Sequence, residues 1–146
     1  MIDQRVQQSG GAPITGLSHV QLLVSDVDAS ASWYTTVLGL DPYAEDRAVG
    51  YIALRHRGAR MVIVLTTGTG AGSPAGREAG LGPSGSLDHL AFAVTDGAAL
   101  AAWADHLTES DVVHPGVVLE NGNPTLHLRD PDGIAIELAA PGQTRA

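Results

Sequence analysis

Three residues of this chain have the types and placement of a metal-ligand set: His19, His89 and Glu137. Two imidazoles and a carboxylate, with coordination positions left open, suit a divalent ion such as Fe, Mn, Ni, Co or Zn. A single strand histidine is more often structural, and a single strand glutamate is usually solvated. What singles out these three is where the sequence puts them relative to one another.

His19 and His89 occupy the same place in an internal repeat. Leu17–Ser18–His19–Val20–Gln21–Leu22–Leu23–Val24–Ser25–Asp26 aligns with Leu87–Asp88–His89–Leu90–Ala91–Phe92–Ala93–Val94–Thr95–Asp96 at a constant offset of 70. The match continues to Ala31 with Ala101 and Trp33 with Trp103. A second block, at an offset of 73, lays Met61–Val62–Ile63–Val64–Leu65 over Ile134–Ala135–Ile136–Glu137–Leu138. Self-similarity of this kind signals a duplicated structural unit. The modules span about residues 16–66 and 86–139, within one domain over 16–140. A glycine-rich linker covers 67–85, and a flexible N-terminus (1–15) and a tail (141–146) flank the domain.

Each module opens with a short apolar strand, and Asp26 and Asp96 then stand where helix N-caps belong. The first helix should end at Leu38, with Gly39 supplying its left-handed terminus. The second carries Leu100, Trp103, Ala104 and Leu107 as a stripe at three-four spacing. Both tryptophans read as core residues. About three strands follow each helix, and Asp130–Pro131–Asp132–Gly133 is a tight turn joining the last two. The fold class is α+β, built from two tandem units of strand, helix and three strands. Side chains alternate faces along a strand. With Leu90, Phe92 and Val94 on the helix side, His89, Ala91 and Ala93 face the other way; Ile134, Ile136 and Leu138 likewise leave Ala135 and Glu137 opposite the helix. The repeat gives His19, Gln21 and Leu23 the equivalent face, so the two histidines and the glutamate converge on one concave surface.

Composition removes several other chemistries. The 146 residues include no Cys, which excludes disulfides, zinc–thiolate centres and thiol nucleophiles. Lys is absent too, all eight basic residues being Arg, so Schiff-base chemistry and a phosphate-loop lysine are excluded. A net charge of −8 argues against a nucleic-acid partner. No apolar run is long enough to span a membrane, and the polar N-terminus has no signal-peptide core, so a cytoplasmic protein with no membrane partner is expected.

The chain resembles the vicinal-oxygen-chelate superfamily, which includes glyoxalases, bleomycin-resistance proteins, fosfomycin-resistance enzymes and extradiol dioxygenases. The resemblance lies in His19 opening the first strand, Trp33–Tyr34 and Val37–Leu38–Gly39–Leu40, Leu87–Asp88–His89–Leu90–Ala91–Phe92–Ala93–Val94, and Arg129–Asp130–Pro131–Asp132–Gly133 leading to Ile136–Glu137–Leu138. It implies a glyoxalase-like fold: paired βαβββ modules whose cupped mixed sheet surrounds a divalent metal. It further implies bidentate chelation of an oxygen-rich small-molecule substrate, in lyase, isomerase or ring-cleaving dioxygenase chemistry, and a homodimer. The alternative implied by the same family is a drug- or natural-product-sequestering protein of the bleomycin-resistance type.

Departures narrow the resemblance. Glyoxalase I has a fourth ligand, a Glu on the last strand of its first module, where the repeat puts Val64. The set His19, His89 and Glu137 is thus similar to the three-ligand branches, with Glu137 counted among both ligands and catalytic groups. The fosfomycin branch is disfavoured by the missing Lys, and bleomycin-binding members generally lack the ligands kept here. His127 lies between Leu126 and Leu128, which have core parity, so it should face the cup beside Glu137 as a catalytic acid–base group. The remaining histidines have ordinary readings. His106 should face water near a helix end, His114 should be solvated in a loop, and His56 belongs to a turn with Arg55, Arg57 and Arg60. Asp88 has the wrong strand parity to bind the ion that His89 would hold.

Overall fold

A computed structural model describes residues 14–68 and 87–142. Residues 69–86, most of the expected linker, lie outside the described residues, as do 1–13 and 143–146. The two modules have the expected order of elements. The first comprises β1 (Val20–Leu23), α1 (Val27–Leu38), β2 (Asp41–Asp46), β3 (Tyr51–Arg55) and β4 (Val62–Thr66); the second comprises β5 (Leu90–Ala93), α2 (Gly97–Glu109), β6 (Val117–Glu120), β7 (Asn123–Arg129) and β8 (Ala135–Ala139). Each builds its own four-stranded mixed sheet, ordered β1-β4-β3-β2 and β5-β8-β7-β6. β1 and β5 pair in parallel with the last strands of their modules and have no second neighbour among the described residues.

Local chemistry explains the helix limits. The Asp26 carboxylate accepts the Ala29 N–H at 2.9 Å and Asp96 accepts the Ala99 N–H at 2.8 Å, each satisfying a donor that the first turn leaves free. Gly39 takes φ 70°, and the N–H groups of Gly39 and Leu40 return to the carbonyls of Thr35 and Tyr34. That double closure needs a left-handed residue, which glycine adopts without strain.

The repeat is expressed in strand register. Gln21 stands opposite Val64 across β1 and β4, and Ala91 stands opposite Glu137 across β5 and β8. Val64 and Glu137 are therefore equivalent positions. One apolar cluster runs through both modules, with Leu54, Leu65, Leu100, Leu107 and Leu126 fully buried. Trp33 and Trp103 pack against this cluster but stay half-buried, because each sits at the margin of its helix's apolar face.

The Asp130–Gly133 turn does more than reverse the chain. Buried Asp130 accepts the Tyr34 hydroxyl at 2.9 Å through Oδ2, and the backbone N–H groups of Asp132 and Ile134 at 2.9 and 2.8 Å through Oδ1. Asp132 accepts the Ser25 N–H at 3.0 Å. The second module's turn is thereby latched onto the first module's helix. His106 departs from expectation: half-buried, it donates from Nε2 to the Val37 carbonyl at 2.9 Å and ties α2 to the C-terminal end of α1. A carbonyl in the last turn of α1 has no intrahelical partner, and His106 satisfies it. His114 is likewise engaged, meeting Thr108 Oγ1 at 2.9 Å and accepting the Gly116 N–H at 3.1 Å.

Candidate metal centre

His89 precedes β5, and Glu137 projects from the adjoining β8. Their Nε2 and Oε2 atoms stand 3.6 Å apart. The other ring nitrogen of His89 is held by Asp88, Nδ1 to Oδ2 at 2.7 Å. A carboxylate on Nδ1 fixes the tautomer and leaves Nε2 as the donor, the arrangement by which proteins orient a metal-binding imidazole. Asp88 also raises the His89 pKa above its ordinary value, its hydrogen bond outweighing the opposing desolvation, and Glu137 adds to the rise. Asp88, of opposite strand parity, thus grips the histidine from behind.

The repeat reproduces this device in the first module. Ser18, equivalent to Asp88, makes a 3.1 Å hydrogen bond with His19 Nδ1. No hydrogen bond engages His19 Nε2 among the described residues. The donor chemistry on both histidines fits a divalent transition metal.

The chain does not, however, gather all three. His19 lines a cavity of about 540 Å³ over the first sheet, together with Gln21, Tyr43, Tyr51 and Val64. His89 and Glu137 open onto another, of about 410 Å³, with Glu120, Asn123 and Thr125. His127 lies directly opposite Glu137 in the β7–β8 ladder, and Leu126 and Leu128 beside it are buried. Its Nε2 meets Glu120 Oε1 at 2.9 Å. Glu120, His127 and Glu137 each offer a ligand atom within 4.8 Å of the other two.

Glu120 and Asp88 escaped the sequence reading of the site. The signal for Glu120 was present. Asn121–Gly122, with φ 51° and 81°, is the two-residue turn that folds β6 onto β7 and carries Glu120 back over His127. For Asp88 the signal was its equivalence to Ser18.

Residues 16–138 match the family model of the glyoxalase/bleomycin resistance protein/dioxygenase superfamily. The chain belongs to this superfamily. No curated protein matches its sequence. Solved structures share the fold at low identity. A lactoylglutathione lyase from Agrobacterium tumefaciens is 18% identical with a TM-score of 0.69, over 88% of this chain and 96% of that one. An antibiotic-binding protein from Streptomyces sp. CB03234 is 22% identical with a TM-score of 0.68, over 90% and 100%. A fosfomycin resistance protein from Listeria monocytogenes is 16% identical with a TM-score of 0.65, over 90% and 97%. Together these structures place a lyase, an antibiotic-binding protein and a fosfomycin resistance protein on one scaffold.

Proposed function

We propose that this protein is a metal-dependent enzyme acting on a small oxygen-rich substrate, with His19, His89 and Glu137 as ligands. The observation that carries the reading is His89: Nδ1 is tied to Asp88 and Nε2 is turned to Glu137 at 3.6 Å. A divalent ion held there supplies Lewis acidity toward substrate oxygens. His127, opposite Glu137, is the group for moving a proton at the substrate.

His19 joins this set in a homodimer. In one chain it belongs to a separate cavity, and among the described residues β1 and β5 are open edges flanked by exposed Leu17, Leu23 and Leu87. An open edge with apolar neighbours favours pairing with another chain. In this arrangement His19 of one copy faces His89 and Glu137 of the other.

The test is metal analysis of the purified protein. The reading requires near-stoichiometric Fe, Mn, Ni, Co or Zn, lost in Glu137→Gln. Wild type that holds none and takes up none of the five refutes it. The competing reading, a natural-product-binding protein, draws on Tyr43 and Tyr51 lining the first cavity, and it predicts ligand binding unchanged in Glu137→Gln.

A further inference from the structure

Glu120, His127 and Glu137 come from three neighbouring strands of one sheet, so their spacing depends on nothing outside the second module. Ligands about 2.1 Å from an ion stand about 3.0–3.5 Å apart when adjacent and about 4.2 Å apart when opposed. His127 Nε2 and Glu120 Oε1, 2.9 Å apart, already stand near the adjacent spacing, and the whole set, within 4.8 Å, needs to close by at most about 0.6 Å to reach the opposed one. The adjoining cavity adds the Asn123 amide and the Thr125 hydroxyl, and the His89 ring opens onto it beside Glu137. Two carboxylates stand here against the imidazoles, in a chain of net charge −8.

We propose that the second module of a single chain binds a divalent cation by itself, between Glu120, His127 and Glu137, without His19. The proton between His127 Nε2 and Glu120 gives way to the ion. This site shares Glu137 with the proposed ligand set and His127 with the proposed proton transfer, so one ion occupies one set or the other. An ion held here also occupies the His127 imidazole and withdraws it from proton transfer. A chain without His19 of a second copy in place is therefore loaded but idle.

The experiment is calorimetric titration of the full-length chain with Co²⁺ and with Zn²⁺, in wild type, His19→Ala and His19→Ala/Glu120→Gln, with circular dichroism confirming the fold. His19→Ala is expected to keep one ion per chain, and adding Glu120→Gln to weaken that binding by at least about 10-fold. Equal affinity in the single and double variants overturns the inference. Loss of all binding in His19→Ala also overturns it, while leaving the proposed catalytic set intact. Unchanged affinity in His19→Ala, lost with Glu120→Gln, upholds this site and removes His19 from the catalytic set. No uptake by wild type refutes both.

Discussion

The latch between modules makes a prediction that needs no substrate. Tyr34→Phe removes a hydroxyl that is wholly buried and donates at 2.9 Å to Asp130, itself 5% exposed. Asp130 Oδ1 keeps its two backbone donors, so only Oδ2 is left without its partner. A hydrogen bond to a charged group contributes about 1.5–3 kcal/mol, and a buried acceptor left alone adds its desolvation penalty. The expected loss is about 2 kcal/mol, or about 6–8 °C in Tm for a domain of this size. Burial, reinforced by Asp130, raises the Tyr34 pKa, so the hydroxyl remains a donor. A raised pKa stabilises fully below the unfolded value, about 10 for tyrosine, and the contribution is lost only above it. Urea denaturation at about pH 6 and about pH 9 should therefore show the same loss with an unchanged m-value. Tyr51→Phe is the control, since its hydroxyl has no hydrogen bond among the described residues, and it should shift stability by less than about 0.5 kcal/mol. Tyr34→Phe falling within that same margin would refute the latch.

Further outcomes follow from the site. In metal-free protein, Asp88→Asn should lower the His89 pKa toward its ordinary value by NMR titration, because the Asp88 hydrogen bond is the largest cause of its rise. A raised histidine pKa stabilises at acid pH and the effect is lost as pH rises through the folded value, so the variant should lose stability in acid and match wild type at about pH 9; an unmoved titration refutes the assignment. His127→Phe should keep the fold and lower turnover about 10²-fold, and unchanged turnover would reduce His127 to cavity lining. Light scattering at micromolar concentration should give twice the 15.0 kDa chain mass, and a mass of 15.0 kDa would rule out the dimer.

The offsets that join His19 to His89 and Val64 to Glu137 reappear as matched rungs, because strand alternation converts sequence spacing into a face. His127 was legible for the same reason: two buried leucines flank it, and parity turns it outward. The helix caps at Asp26, Asp96 and Gly39 were legible because capping is settled within a few residues of chain. His106 was misread as water-facing. Its partner is a carbonyl 69 positions away, and that bond does not follow from hydrophobic patterning.

The sequence by itself therefore determined the duplication, the element order, the face of each candidate ligand and the superfamily. All of these depend on periodicity and short-range chemistry. Only the tertiary structure decided which faces meet. It set His19 over one cavity and His89 with Glu137 over another, swung Glu120 onto His127, and bound Tyr34 to Asp130 across 96 positions. The physical reason is that a strand's alternation fixes the direction of a side chain but not the neighbour it finds. That neighbour is chosen by how the two sheets and their helices share one apolar core.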